Sequence, residues 1–351
     1  MKFKILVMEE IGQLALREAE IPKPGKGQVL VKIENCNTCT TDWQNWNGMR
    51  GKSNKSFPYA PGHEAAGTIE EIGEGVYGFN VGDHIAVGYT GCGYCEECRV
   101  GNTKACKTPK EKTTIDGVSG GFGMSQYMLI NKNQVFEMNP DLPFEEAGYL
   151  EPVSTAVHGI RKLDPKPGDY LLVIGAGNMG LVNAQVAKAF GCNVFVSEVD
   201  EKRIALSKSM GFSVMNPATD NIVDFAKEFT KGHGVDHVVV AVGNTKATDQ
   251  AFEVVRKGGK VLLFAAGYPS PELNLDVNKI HYGNWHIIGT GGANVGDYQL
   301  ASQYLSDGTV VTKNLISYKI PLEDYNKAFE LAATPGNYRV SLVMWNKAKD
   351  N

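Results

Sequence analysis

Residues 170–191 read YLLVIGAGNMGLVNAQVAKAFG, and the reading of the fold starts there. An apolar run without polar alternation, YLLVI, runs into a glycine turn, and a stretch with helical spacing of apolar residues follows. A strand buried on both faces followed by a helix is the repeating unit of a parallel sheet. The turn carries G-x-G-x-x-G at Gly175, Gly177 and Gly180. Gly175 permits the tight turn, Gly177 lets a pyrophosphate approach the backbone, and Gly180 lets the helix pack closely on the strand. The helix N-terminus then offers free N–H groups and a positive dipole end to the phosphates. Glu198, at the end of the next apolar run, supplies a carboxylate that can accept both ribose hydroxyls. A nucleotide-free α/β domain with a glycine turn is the competing reading of the same residues.

The pattern repeats downstream. NVFVSE (193–198) precedes DEKRIALSKSMG, DHVVVAVG (236–243) precedes TDQAFEVVRKGG, and the runs KVLLFAAG (260–267) and HIIGTGG (286–292) follow. This alternation predicts a doubly wound parallel sheet. The rhythm begins only after KLDPKPGD (162–169). Upstream, short β-type runs such as QVLVKIEN, EAAGTIEEIG, DHIAVGY and QYMLIN are separated by the turns PKPGKG, GEGVYGFNVGD and GVSGGFG, an all-β pattern. Beyond residue 292 come a helical pattern, a strand LISYKI, a second helix and a last strand RVSLVMWN. The expected division is a β-rich domain from 1–152 with 290–351 and a dinucleotide-binding domain over 153–289.

The chain has 351 residues, with 35 basic against 39 acidic side chains. That slight negative balance argues against a nucleic-acid or anionic-membrane binder. The opening MKFKILVMEE reads as a first strand and not as a targeting segment. No apolar run approaches the roughly 18 residues of a membrane helix. The expectation is a cytoplasmic protein with reduced thiols.

Seven cysteines are present, and an odd number in such a chain points to metal or catalysis before disulfides. Four of them, Cys92, Cys95, Cys98 and Cys106, form C-x2-C-x2-C-x7-C in one loop. Four thiolates at those spacings close a tetrahedral zinc shell; free thiols or two disulfides are the alternatives. A closed shell has no position for a substrate, so the chemistry belongs elsewhere. Cys39 lies on a turn in CTTD, His63 and Glu64 open a strand in PGHEAAG, and Glu151 stands in YLEPVSTAVHG. A cysteine, a histidine and a glutamate leave a fourth zinc position open, although spacing alone does not bring them together. Cys36 with Cys39 also forms C-x2-C, so a thiol redox pair is the rival reading.

Taken in order, CTTD, GHEAAGTIEEIG, GDHIAV, the four-cysteine loop, EPVSTAVHG and GAGNMG resemble the zinc-dependent medium-chain alcohol dehydrogenases. The likeness is closest to the polyol branch that includes sorbitol and threonine dehydrogenases. It implies an α/β chain with a GroES-like catalytic domain and an inserted Rossmann domain. It implies two zinc ions per chain and NAD. The catalytic zinc would be held by Cys39, His63 and Glu151, and a structural zinc by Cys92, Cys95, Cys98 and Cys106. Glu64 would be a second acid able to approach the metal, Asp42 the hydrogen-bond partner of His63, and Thr41 the hydroxyl that takes the alcohol proton. Met179, Glu198 and Arg203 would contact the dinucleotide, with Thr155, Ala265, Ala266, Thr290 and Gly291 at its nicotinamide end. A homodimer or homotetramer pairing through His286–Gly289 is implied as well.

Two departures bear on substrate. Gln44 stands where most members carry a histidine that relays the proton to solvent. Gly292 and Ala293 stand where sorbitol dehydrogenase has an Arg–Tyr pair, which argues against sorbitol itself. The expected substrate is a neutral polyol, cyclitol or sugar derivative. A sugar acid, sugar phosphate or hydroxy amino acid is the alternative if Arg50, Lys52 or Lys55 faces an anionic group. A medium-chain reductase without catalytic zinc would lack the Cys39, His63 and Glu151 set, and a catalytically idle protein on the same fold would not need it.

Overall fold

The computed structural model describes residues 2–51, 56–108 and 114–345. Lys52 and Lys55 lie outside the described residues. The chain divides into two compact units, Met1–Ser154 with Ala293–Asn351, and Thr155–Gly292. The boundaries read from the sequence were 152/153 and 289/290. Among the described residues no helix is long and apolar enough to cross a membrane.

The second unit is a six-stranded parallel sheet in the order Ser213–Met215, Asn193–Ser197, Tyr170–Ile174, Val235–Val240, Val255–Leu263, His286–Gly289. The order reverses at Tyr170–Ile174, and in such sheets ligands bind beyond the strand ends at the reversal. Leu171, Leu172, Val173, Val238 and Val239 are fully buried, as the runs without alternation required. One expectation shifts: RKGG, read as the end of a helix, belongs to the strand Val255–Leu263, and the helix Thr245–Val254 stops before it. Val255, where the strand begins, is buried, and a β-branched residue favours the pleated state.

The first unit holds two sheets. One runs Gln13–Glu20, Lys2–Glu10, Tyr59–Ala60, Val118–Gly120, Thr114–Ile115. The other runs Val135–Glu137, His84–Val87, Glu64–Ile72, Gln28–Asn37, Arg339–Val343, Ile316–Pro321, with Tyr127–Asn131 also pairing with Gln28–Asn37. Val29, Val31, Ile33, Ile69, Ile85, Val340 and Leu342 fill its core. The register of this second sheet matters most for the site. Asn37 pairs with Glu64 on one side and with Ser341 on the other. The chain segments that carry Cys39, His63, Glu64 and Arg339 therefore end side by side, although they come from three distant parts of the sequence.

Candidate functional site

Cys39 follows the strand Gln28–Asn37 and caps the helix Thr40–Trp46. Its backbone N–H donates to Asp42 Oδ2 at 3.0 Å, so the CTTD turn fixes Asp42 beneath the cluster. Asp42 Oδ1 lies 3.6 Å from His63 Nδ1. Burial works against a charged His63 ring, but the Asp42 carboxylate and the Cys39 thiolate outweigh it and hold its pKa well above the usual value. One ligand atom from each of Cys39, His63 and Glu64 lies within 4.8 Å of the others. This is a set of borderline-soft and hard donors suited to zinc.

Glu64 is not a lone acid. It is fully buried and forms a bidentate pair with Arg339: Nε donates to Oε2 at 2.8 Å and Nη2 to Oε1 at 2.6 Å. Arg339 Nη2 also donates to Cys39 Sγ at 3.6 Å. Glu151, on the first turn of the helix Leu150–Leu163, stands outside the 4.8 Å group, and no ion pair holds it among the described residues. Burial raises its carboxyl pKa to about 7, with His63 opposing and Glu64 adding to the shift. A half-buried acid that no ion pair holds among the described residues is one that a metal would ionise. The entry to its helix docks on the same end of the sheet, since Asn37 Nδ2 donates to Glu145 O at 3.0 Å.

The redox reading of Cys36 and Cys39 finds no support. Cys36 is fully buried, burial pushes its thiol pKa far up, and its sulfur donates to Asn37 O. All seven cysteines are free thiols. Gln44 is buried, and its Oε1 accepts from Arg50 Nε at 3.0 Å.

The four-cysteine loop forms its own cluster. Cys92 Sγ lies 3.9 Å from Cys98 Sγ, and Cys95 Sγ lies 3.9 Å from Cys106 Sγ. A tetrahedron with zinc–sulfur bonds of about 2.3 Å sets its sulfurs about 3.8 Å apart, so the loop is built to that size. Backbone N–H groups point at the sulfurs, from Cys95 to Cys92 Sγ and from Cys92 to Cys106 Sγ, each at 3.3 Å. Burial opposes ionisation of Cys92, yet the Thr108 hydroxyl and the Tyr94 and Cys95 backbone bring its pKa down to about 6. Gly91 has no room for a side chain: a Cβ would stand 2.4 Å from Cys98 Sγ.

In the second unit the glycine turn behaves as the motif requires. Gly175 has φ +95°, Gly177 caps the helix Asn178–Ala189, and a Cβ on Gly180 would stand 1.8 Å from Gly175 O. A cavity of about 330 Å³ opens beside it, lined among others by Gly175, Gly177, Glu198, Arg203 and Lys246. Glu198 is more committed than the sequence suggested. Oε2 accepts from Ala176 N–H at 2.7 Å, and Oε1 accepts from Val199 and Asp200 N–H at 2.8 and 3.0 Å. A carboxylate has about four acceptor sites, so roughly one remains for a ribose hydroxyl. Met179 sits in the first turn of the helix, with its carbonyl accepting from Asn183 Nδ2. Thr155, Ala265, Ala266, Thr290 and Gly291 are not part of the cavity lining. Thr290 Oγ1 is buried and finds no partner among the described residues.

Sequence reasoning missed three residues. Arg339 was legible only as an arginine opening the apolar strand RVSLV. Lys246 is a cation on the cavity wall. Tyr89 packs edge-on against His63 with ring centroids 6.5 Å apart.

Comparison with known proteins adds the lineage. Residues 25–140 match the alcohol dehydrogenase GroES-like domain and residues 179–307 the zinc-binding dehydrogenase domain. The chain is 33% identical over 327 residues to the L-threonine 3-dehydrogenase of Pyrococcus horikoshii, covering 90% of this chain and 91% of that one. It is 31% identical over 341 residues to the sorbitol dehydrogenase of Bacillus subtilis, covering 94% and 93%. The crystal structure of a thermostable alcohol dehydrogenase from Pyrobaculum aerophilum superposes with a TM-score of 0.80 at 26% identity, covering 98% of this chain and 100% of that one.

Proposed function

The chain belongs to the zinc-dependent medium-chain alcohol dehydrogenases, and we propose that it oxidises a secondary alcohol of a neutral polyol, cyclitol or sugar derivative to a ketone, reversibly and with NAD. The observation that carries this reading is the convergence of Cys39, His63 and Glu64 at one sheet end, beside Glu151 and apart from the four-cysteine loop.

Cys39, His63 and Glu151 would hold the catalytic metal, and Cys92, Cys95, Cys98 and Cys106 the structural one. When bound, zinc supplies Lewis acidity, which lowers the pKa of water from about 15.7 towards about 7 and acts likewise on an alcohol, and nicotinamide supplies the hydride acceptor. The protein residues divide the remaining work. Arg339 neutralises Glu64, so Glu151 is the carboxylate left to ligate. Asp42 orients the His63 ring. Thr41 takes the alcohol proton. Gln44, tied to Arg50, has no titrating group, so the proton leaves through water or another side chain.

On the cofactor side, the N-terminus of the helix Asn178–Ala189 receives the pyrophosphate, with Met179 beside it. Glu198 takes a ribose hydroxyl and Arg203 lies against the adenosine. Thr155, Ala265, Ala266, Thr290 and Gly291 meet the nicotinamide end, and the orphaned Thr290 hydroxyl supports that role. The strand His286–Gly289 pairs on one side only among the described residues. Its open edge supports a homodimer or homotetramer, which a stable monomer in light scattering would refute. Seven free thiols suit a cytoplasmic setting.

A second reading, an anionic substrate such as a sugar acid, sugar phosphate or hydroxy amino acid, rests on Arg50, the cation that Gln44 holds. Both readings face one experiment: a panel of polyols, cyclitols, sugar acids and sugar phosphates, followed by NADH absorbance, in wild type and Arg50→Ala. A neutral polyol turned over best, with the ratio unchanged in Arg50→Ala, supports the first reading. Preference for the acid that collapses in Arg50→Ala supports the second. No turnover of any alcohol would leave an idle protein on this fold.

A further inference from the structure

The cavity beside the glycine turn is lined only by residues of the Thr155–Gly292 unit. Gly175, Gly177, Glu198 and Arg203 line it from the strand, turn and helix of the nucleotide motif. Lys246 and Gln250 line it from the helix Thr245–Val254. Those two stand four positions apart, about one helical turn, and so share a face. The start of that helix is held in place. Asn244 Oδ1 accepts from Ala247 N–H at 2.8 Å, and Thr245 Oγ1 accepts from Glu272 N–H at 3.0 Å.

The charged side chains on the cavity wall are one carboxylate, Glu198, and two cations, Arg203 and Lys246. They are not equivalent. Glu198 is buried, and three backbone N–H groups hold its two oxygens, so peptide dipoles answer part of its charge. Arg203 Nη1 lies 3.8 Å from where a Cβ on Gly177 would stand. Its guanidinium is therefore at the turn where a pyrophosphate approaches the backbone. Lys246 is exposed, and among the described residues no hydrogen bond or ion pair holds its ammonium. An exposed lysine is ordinarily a solvated surface charge. This one lines the same cavity as Glu198, and its flexible four-carbon stem carries a compact charge with three donors.

The two forms of the cofactor ask different things of this wall. A ribose 2′-hydroxyl needs an acceptor, which Glu198 supplies. A 2′-phosphate brings almost two negative charges and three acceptor oxygens. It is repelled by Glu198 and needs a cation. With Arg203 at the pyrophosphate turn, Lys246 is the cation left to meet it.

We propose that Lys246 is a specificity-determining residue, which pairs with the 2′-phosphate of NADP and gives a chain that favours NAD a measurable use of NADP as well. The inference rests on the reading that Glu198 takes a hydroxyl of the adenosine ribose. It goes further in naming the group that decides how strongly the second cofactor is refused.

The test uses the adenosine half alone, on the full chain. Binding of ADP-ribose and of 2′-phospho-ADP-ribose is measured by calorimetry in wild type, Lys246→Met and Lys246→Arg. A charge-assisted contact at a partly solvated site corresponds to roughly a three- to ten-fold change in affinity. Lys246→Met is expected to weaken 2′-phospho-ADP-ribose by that factor while ADP-ribose stays at the wild-type value. Lys246→Arg, which keeps the charge, should hold the wild-type ratio. Raising the salt concentration should shrink the difference between wild type and Lys246→Met, since exposed charges are screened. An unchanged ratio in Lys246→Met, equal weakening of both ligands, or a wild type that binds ADP-ribose and refuses its 2′-phosphate altogether would overturn the role of Lys246. A wild type that binds neither ligand would overturn the dinucleotide reading, and this inference with it.

Discussion

The four-cysteine loop draws all its ligands from residues 92–106, whereas the other cluster joins Cys39 to Arg339, 300 positions along the chain. The difference is one of what holds each together. The loop has little apolar core of its own: Tyr94 and Val100 are largely exposed, and of its four cysteines only Cys98 is buried. Its shape depends on what its sulfurs bind. The second cluster sits on a packed sheet whose register, Glu64–Asn37–Ser341, is set by core residues that ligate nothing. Loss of a ligand should therefore cost stability in the first region and chemistry in the second.

The largest expected effect on the fold comes from Cys95→Ser. Structural zinc contributes its binding energy to folding, so this variant should lose several kcal/mol of stability, read as a large fall in Tm or as insoluble protein. A Tm equal to wild type would place the loop with the fold-held region and break the comparison.

Arg339→Met is next. Removing one partner of a buried ion pair costs about 3–5 kcal/mol, because the other charge is left uncompensated. Adding Glu64→Gln should recover much of that loss, measured by urea midpoints. Failure of the double variant to recover would mean that Arg339 acts through Cys39 instead of Glu64.

Cofactor choice gives a smaller effect. With Glu198 on the ribose, as proposed, its carboxylate would meet the 2′-phosphate of NADP. Two unit charges about 4 Å apart repel by roughly 1 to 4 kcal/mol, or about five-fold to several-hundred-fold in favour of NAD. The three N–H donors on Glu198 and the nearby Lys246 push the expectation to the low end. Steady-state kinetics with both cofactors would measure it, and equal efficiencies would refute it.

The smallest effect serves as a control in the second unit, where neither cluster lies. His237 is buried with Nε2 2.9 Å from Asp169 Oδ2, and Asp236 and Lys260 also act on it. Burial lowers its pKa below the usual 6.5 despite the Asp169 carboxylate. Below about pH 6.5 the unfolded chain then binds more protons than the folded one. Stability is thus lost as pH falls from there towards the folded pKa. His237→Gln should flatten that slope by up to about 1.4 kcal/mol per pH unit, read from Tm against pH, while zinc content stays unchanged. An unaltered slope would show that His237 does not titrate in this window.

The comparison also explains what could be read from the chain. Contacts within one turn or loop leave their spacing in the sequence, so the cysteine loop and the Gly175–Gly180 turn were legible residue by residue. The alternation of buried strands and helices exposed most of the parallel sheet; the three-residue edge strand Ser213–Met215 and the helix Ile222–Phe229 after it were not read, and RKGG, with glycines that suit either state, was misread. Arg339 left no local signal, because its partners come through sheet register. The same holds for the Arg50 hold on Gln44 and for the three N–H groups on Glu198. Each depends on which backbone atoms a fold happens to bring near a side chain. The proposed ligand roles of Cys39, His63 and Glu151 rest on family resemblance, not on spacing.

The most direct test of the division between the two regions is zinc per chain in Cys39→Ser, measured with turnover and Tm on the same preparation. The expected result is about one zinc fewer than wild type, an unchanged Tm, and a loss in turnover on the order of a thousand-fold or more, about 4 kcal/mol of transition-state stabilisation. Turnover at the wild-type level, or a collapse of the fold on loss of that one thiol, would contradict it.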